Sequence, residues 1–256
     1  MPEATSRKFV VTGTGRSGTE YIARVMTAVG LRCGHEQVFG PRTRQVPDLA
    51  DLDGEASWLA APFVAQLPRG TAVLHQVRDP FATVSSWFGL RFLADGGPYS
   101  FRRPSGPPRL LWHEVTTRMA RRRGECVYVA RDYERFVARH LPWAVRVPST
   151  LDRCMRYWTG WNEMVERGAT DGGLPYLRYQ LDDIEARWPE ILDLVGIAPT
   201  ELPDMGELGS SAGPPNARPH HDALTPEMFE ASPEFPRLQE LAIRYGFDGR
   251  AGLPPC

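Results

Sequence analysis

Glycines and an arginine crowd one short stretch near the start of the chain, Gly13-Thr14-Gly15-Arg16-Ser17-Gly18, followed by Thr19 and Glu20. Glycines so spaced permit a tight turn and a close approach of backbone to ligand. Successive backbone N–H groups in such a turn make a cradle for an anion, usually a phosphate. Arg16 adds a planar fork of donors that matches phosphate oxygens. A second arginine, Arg78, closes an apolar run and offers the same chemistry. The residue types therefore describe anion binding.

These groups need elements to position them. Phe9-Val10-Val11-Thr12 reads as an apolar strand, and Tyr21 to Val29 as an amphipathic helix with Ile22, Val25, Met26 and Val29 at helical spacing. Strand, glycine turn and helix N-terminus then converge on the anion. Ala72 to Val77 reads as a buried parallel strand. Arg78 stands at its C-terminal end, where open α/β sheets place their ligands. Asp79 and Pro80 suit the cap and first turn of a helix, which puts Ser86 about two turns in. Arg32-Cys33-Gly34-His35-Glu36 does not read as a buried strand. Residues 110–168 read mainly as helix. Leu151, Cys154, Trp158, Trp161 and Val165 form a core-facing stripe there, with the wall of an acceptor pocket as the alternative for Trp158 or Trp161. The expected fold is α/β: a single domain over residues 1–256, with a mostly parallel central sheet flanked by helices and a P-loop-like nucleotide site. Residues 100–108 and 199–224 are rich in Gly, Pro and Ser, and the latter reads as a flexible or lid loop.

Two familiar phosphate loops fit less well. A nucleoside-triphosphatase loop ends in Gly-Lys-Ser/Thr, but Thr19 stands in place of the lysine and Glu20 in place of the metal-binding hydroxyl. The dinucleotide pattern G-x-G-x-x-G fits Gly13, Gly15 and Gly18. It requires an acidic residue about 20 positions on, at the end of a second strand; Glu36 has the spacing without a strand pattern before it.

Arg16-Ser17-Gly18-Thr19 resembles the 5′-phosphosulfate loop of sulfotransferases that use 3′-phosphoadenosine 5′-phosphosulfate (PAPS). Val73 to Trp87 resembles the family's 3′-phosphate segment, an apolar strand, then Arg-x-Pro, then a Ser eight residues after the Arg; Arg78 and Ser86 match it. Arg32-Cys33-Gly34-His35-Glu36 resembles the Arg-Cys-Gly-x-Glu stretch of tyrosylprotein sulfotransferases, in which the Glu is the general base. Tyr176-Leu177-Arg178-Tyr179 is similar to the family's late Arg-Tyr strand, although Gln180-Leu181-Asp182 departs from its usual continuation. The loop that closes over the adenosine in steroid-type enzymes has no evident counterpart, and residues 199–224, with Asn216, Arg218, His220 and His221, are its substitute. The resemblance implies a metal-independent transfer of a sulfuryl group from PAPS to a hydroxyl acceptor, a small molecule or metabolite, leaving 3′,5′-adenosine bisphosphate. In those terms Gly15, Arg16, Ser17, Gly18, Thr19 and Glu20 cradle the 5′-phosphosulfate, and Arg78 and Ser86 hold the 3′-phosphate. Arg16 offsets charge in the transition state, and Glu36 takes the acceptor's proton, with His35 as its competitor. Two other readings stay open: a P-loop nucleotide kinase with a degenerate loop, and a non-catalytic nucleotide-binding protein.

Composition narrows the field further. The 256 residues are 42% hydrophobic, enough for a substantial core, and the net charge of −1 argues against nucleic acid as the main partner. Arg121-Arg122-Arg123 reads as a solvated face. Lys8 is the sole lysine, so a lysine nucleophile or Schiff base is excluded unless Lys8 reaches the site. The polar N-terminus leads straight into the first strand, so no signal peptide is expected. Trp58 to Leu67 is too short to span a bilayer. Cys33, Cys126, Cys154 and Cys256 are scattered, as in a cytoplasmic protein with free thiols; Cys33 is either a reactive thiol or a small core residue. His35-Glu36 and His113-Glu114 begin like H-E-x-x-H, but Phe39 and Thr117 replace the second histidine, so no metal site is expected.

Overall fold

β1 (Phe9–Thr12) is buried at all four positions, the pattern of a strand covered on both faces. It belongs to a computed structural model that describes residues 7–49, 51–95, 130–201, 203 and 224–247. The chain forms two compact units, Met1–Asp79 with Trp161–Pro219, and Pro80–Gly160 with His220–Cys256.

The first unit holds one sheet of five parallel strands in the order β2-β3-β1-β4-β5. Its other strands are β2 (Cys33–His35), β3 (Gly54–Ala56), β4 (Ala72–Val77) and β5 (Tyr176–Gln180). Side chains alternate across the sheet. Phe9, Val11, Leu74 and Tyr179 join a core with Ile22, Val25 and Met26 of α1 (Thr19–Ala28) and with Trp188, Ile191 and Val195 of a later helix, Ile184–Val195. On the opposite face His75 meets Asn162 and Tyr176. There the 3-10 segment Trp58–Gln66 packs with the helix Thr150–Gly172 from Trp161 onward, and Trp161 Nε1 donates to the Trp58 carbonyl at 2.9 Å. The fold is thus α/β with a parallel sheet flanked by helices.

One expectation about local structure changes, and one alternative falls away. Cys33–His35 does form a strand, at the sheet edge, where only Gly34 is buried, so it leaves no apolar run to be read. Trp158 and Trp161 are both fully buried, which makes the stripe core and not pocket wall.

The second unit is helical. It contains α2 (Pro80–Gly89), α3 (Ala130–His140), the start of α4 (Thr150–Gly172), and, after α5 (Ile184–Val195) of the first unit, α6 (Pro226–Glu230) and α7 (Phe235–Arg244). Trp87, Phe92 and Tyr157 cluster within it, Trp87 and Phe92 with ring centres 4.1 Å apart. Arg153 is buried and donates to the carbonyls of Val147 and Leu93 and to Asp95. No helix among the described residues is long and apolar enough to cross a membrane. Residues 100–108, His113, Arg121–Arg123, Cys126, Cys256 and most of 199–224, with Asn216, Arg218, His220 and His221, lie outside the described residues.

Candidate functional site

The glycine loop leaves the C-terminal end of β1 and enters α1 at Gly18, whose φ of 97° is left-handed and which provides no side-chain cap. The first-turn N–H groups of a helix have no partner within it, and they carry the positive end of its dipole. β4 holds the loop from behind. Gln76 Nε2 donates to the Ser17 carbonyl at 2.5 Å, and Arg78 Nη1 to the Arg16 carbonyl at 3.1 Å. A trans peptide points its C=O and N–H in opposite directions, so anchoring the Ser17 carbonyl turns the Gly18 N–H away from β4. The orientation of Gln76 follows from chemistry. A carbonyl only accepts, so the amide nitrogen must face Ser17, which leaves Oε1 to accept from the Tyr179 hydroxyl at 2.6 Å. Burial pushes the Tyr179 phenol well above its ordinary value, so it stays protonated as that donor.

The buried hydroxyls of Thr12, Thr14 and Ser17 have no hydrogen-bond partner among the described residues. Each such orphan costs about 1–3 kcal/mol, and orphans gathered at one loop mark a place that a polar ligand completes. Gly13 leaves no room for a side chain, since a Cβ there would stand 2.1 Å from the Gln76 carbonyl oxygen. Gly13→Ala is therefore expected to push the loop off β4 and lower anion affinity at least tenfold, measured by calorimetric titration with a nucleotide.

Glu36 follows β2 directly. Its N–H donates to the Ala56 carbonyl at 3.3 Å, and its φ of 51° is left-handed. Burial, then the like charges of Glu55 and Glu20, raise its carboxyl to about 7, against a hydrogen bond from Trp58 that lowers it. A carboxyl so poised is a base matched to neutral pH. His35 Nε2 lies 3.3 Å from Thr19 Oγ1 and 3.9 Å from Glu36 Oε1, so it links the start of α1 to Glu36. Burial first, and Arg24 in addition, lower the His35 imidazole against a rise from Glu20. It is neutral at pH 7 and meets Glu36 as a polar neighbour, not as an ion pair. Glu20 turns its carboxylate to Arg24 at 2.7 Å, so what it can lend an anion is backbone. Burial, followed by Glu55, pushes the Cys33 thiol up to about 12, which favours the small core residue over the reactive thiol.

The first unit thus brings Gly15, Arg16, Ser17, Gly18, Thr19, Glu20, His35, Glu36 and Arg78 to the C-terminal ends of β1, β2 and β4. Ser86 is half-buried in α2 of the second unit, and its pairing with Arg78 stays an expectation from sequence. The dinucleotide reading fails on topology: β3 lies between β1 and β2, whereas that fold sets the strand bearing its acidic residue beside β1. Gln76 and Glu55 are participants that motif reading misses. Their signal is a polar residue inside a buried strand. Trp58, the indole beside Glu36, carried no signal apart from its apolar surroundings. No group of three or more His, Cys, Asp or Glu side chains suited to a metal occurs among the described residues. The chain matches no model of a known protein family and no curated protein sequence.

Proposed function

We propose that this chain is a PAPS-dependent sulfotransferase acting on a hydroxyl of a small molecule. One observation carries the proposal. Among the described residues of the first unit, the only non-glycines with a left-handed backbone are Arg16 and Glu36, two of the three residues nominated for catalysis, His35 being the third. Each such residue costs of order 1–3 kcal/mol, a strain that persists where surrounding structure imposes it and that clusters at functional sites. Here hydrogen bonds from β4 and β3 impose it.

In this reading the acceptor oxygen attacks sulfur while Glu36 takes its proton. The bond from sulfur to the 5′-phosphate oxygen breaks, and the departing phosphate keeps the electron pair. Arg16 and the loop N–H groups stabilise the charge that grows on that phosphate and on the sulfuryl oxygens. Arg78 binds the 3′-phosphate. The free thiols of Cys33 and Cys154 support a cytoplasmic location.

The kinase reading is weaker on the residues present. Metal-assisted phosphoryl transfer uses a lysine on the outer phosphates and a ligand for Mg²⁺. Lys8 bonds to the Leu52 carbonyl at the N-terminal end of β1, the far end from the loop. Glu20, which stands where the metal-binding hydroxyl belongs, is engaged by Arg24. Calorimetric titration of Arg78→Ala tests the sulfotransferase reading. Wild type is expected to prefer 3′,5′-adenosine bisphosphate to adenosine 5′-monophosphate by at least tenfold, and the variant to bind the two alike. Preference retained in the variant removes Arg78 from the 3′-phosphate site.

A further inference from the structure

β3 carries a carboxyl into the interior of the first unit, and burial, opposed by hydrogen bonds from backbone N–H groups, shifts it above the ordinary carboxylate value. Glu55 pairs with Gly34 of β2 and Val10 of β1 and has no exposed surface. A buried carboxyl is costly unless its oxygens are satisfied, and this one is satisfied on one side only. Oε1 accepts the N–H of Gln37 at 2.6 Å and that of Val38 at 3.2 Å. Oε2 has no hydrogen-bond partner among the described residues. It occupies the space a side chain at position 34 would need, since a Cβ on Gly34 would come within 2.1 Å of it. The next residue of β3, Ala56, accepts the N–H of Glu36. Glu55 and its neighbour therefore hold three successive N–H groups, those of residues 36, 37 and 38.

We propose that Glu55 is the positioning residue for Glu36: its buried carboxyl grips the two N–H groups after Glu36, holds that residue in its left-handed conformation and so fixes where its side chain points. The inference rests on the reading of Glu36 as the base. A catalytic group must be held close to its productive geometry by neighbours that are themselves fixed, and a buried, doubly bonded carboxyl oxygen does that better than a loop alone. Glu55 also acts on Glu36 through charge. The groups that face Glu36 are Glu55 from β3, Glu20 from α1, His35 beside it on β2, and the Trp58 indole from the 3-10 segment. Arg24 offsets the charge of Glu20, which leaves Glu55 as the like charge without a basic partner among the contacts described above.

Glu55→Gln and Glu55→Ala separate the two effects. Gln keeps an acceptor for the N–H groups and removes the charge; Ala removes both. Amide hydrogen exchange at Gln37 and Val38 reads the grip, and a carbon-13 titration of the Glu36 carboxyl, identified by its loss in Glu36→Gln, reads the charge. Neither needs a substrate. In Glu55→Gln both amides are expected to stay protected while the Glu36 midpoint falls by about one pH unit. In Glu55→Ala protection of both amides is lost, and kcat for sulfuryl transfer falls at least tenfold while KM for the nucleotide holds. Unchanged exchange in Glu55→Ala, or an unmoved Glu36 midpoint in Glu55→Gln, overturns the proposal. If Glu55→Ala does not fold, Glu55→Met, which fills the same space but offers the N–H groups no oxygen acceptor, gives the exchange readout at Gln37 and Val38 with the same expected and overturning results. Amide and titration results as expected, in a protein that transfers no sulfuryl group, uphold Glu55 and reject the function proposed for Glu36.

Discussion

Glu36→Gln is expected to cripple the proposed sulfuryl transfer while leaving the nucleotide bound as tightly as in the wild type. The amide keeps the size and polarity of the carboxyl but cannot take a proton, so only the step that needs a base is lost. General bases contribute about 10²–10⁴-fold, and kcat is expected to fall by that factor with the affinity for 3′,5′-adenosine bisphosphate within twofold. His35→Ala is the control. If it alone abolishes transfer, the imidazole is the base.

The same residue sets the pH dependence. In the proposed mechanism Glu36 must be ionised to act, and its carboxyl is raised to about 7. Activity therefore rises tenfold per pH unit up to that midpoint and levels off above it. An ordinary carboxylate would place that limb near 4.5. Stability runs the other way. A carboxyl raised in the folded state favours the neutral form, so its contribution is complete below about 4.5 and is lost as pH climbs through 7. The side chain retains 26% exposure, which trims the loss to roughly 1–3 kcal/mol. Glu36→Gln lacks this loss. Relative to wild type it is more stable at pH 8 than at pH 4, which thermal melts at the two pH values check.

Arg16→Ala is expected to lower kcat by about 10²–10³-fold, the scale of removing one preorganised donor from a developing charge. Its contact strengthens as charge moves onto the leaving phosphate, so the loss falls on kcat more than on ground-state binding. The backbone complicates this variant, because Arg16 has a φ of 74°. Arg16→Gly controls for it. Glycine relaxes the left-handed strain and slightly stabilises the fold, yet it also lacks the guanidinium. Equal loss of kcat in both variants assigns the effect to the side chain. Near-normal turnover in either removes Arg16 from the mechanism.

The parts of the fold that were legible in sequence are local. β1, the glycine turn and α1 announce themselves through an apolar run, glycine spacing and a helical period. β4 is a six-residue buried run ending at Arg78. Strand order was not legible, because nothing in Cys33–His35 or Gly54–Ala56 states that the later strand inserts beside β1. That insertion creates the less visible half of the candidate site. It brings Glu55 under the loop that follows Glu36, a pairing of residues far apart in sequence. Gln76 was hidden differently: it sits within an apolar strand, and its role appears only when Tyr179 and Ser17 are seen to bind its two ends. Glu36 was reached through family resemblance, because a three-residue edge strand leaves no pattern that would single it out.

Thermal stabilisation by 3′,5′-adenosine bisphosphate, with and without Mg²⁺ and against ADP and ATP, tests the central claim most directly. At a hundredfold excess over Kd, a ligand bound only by the folded state adds about 2.7 kcal/mol. For a chain of this size that raises Tm by about 5–10 °C. The account predicts this shift for the bisphosphate, the same with and without metal, and a smaller one for ADP. A shift produced only by ATP with Mg²⁺, or none with the bisphosphate, contradicts it.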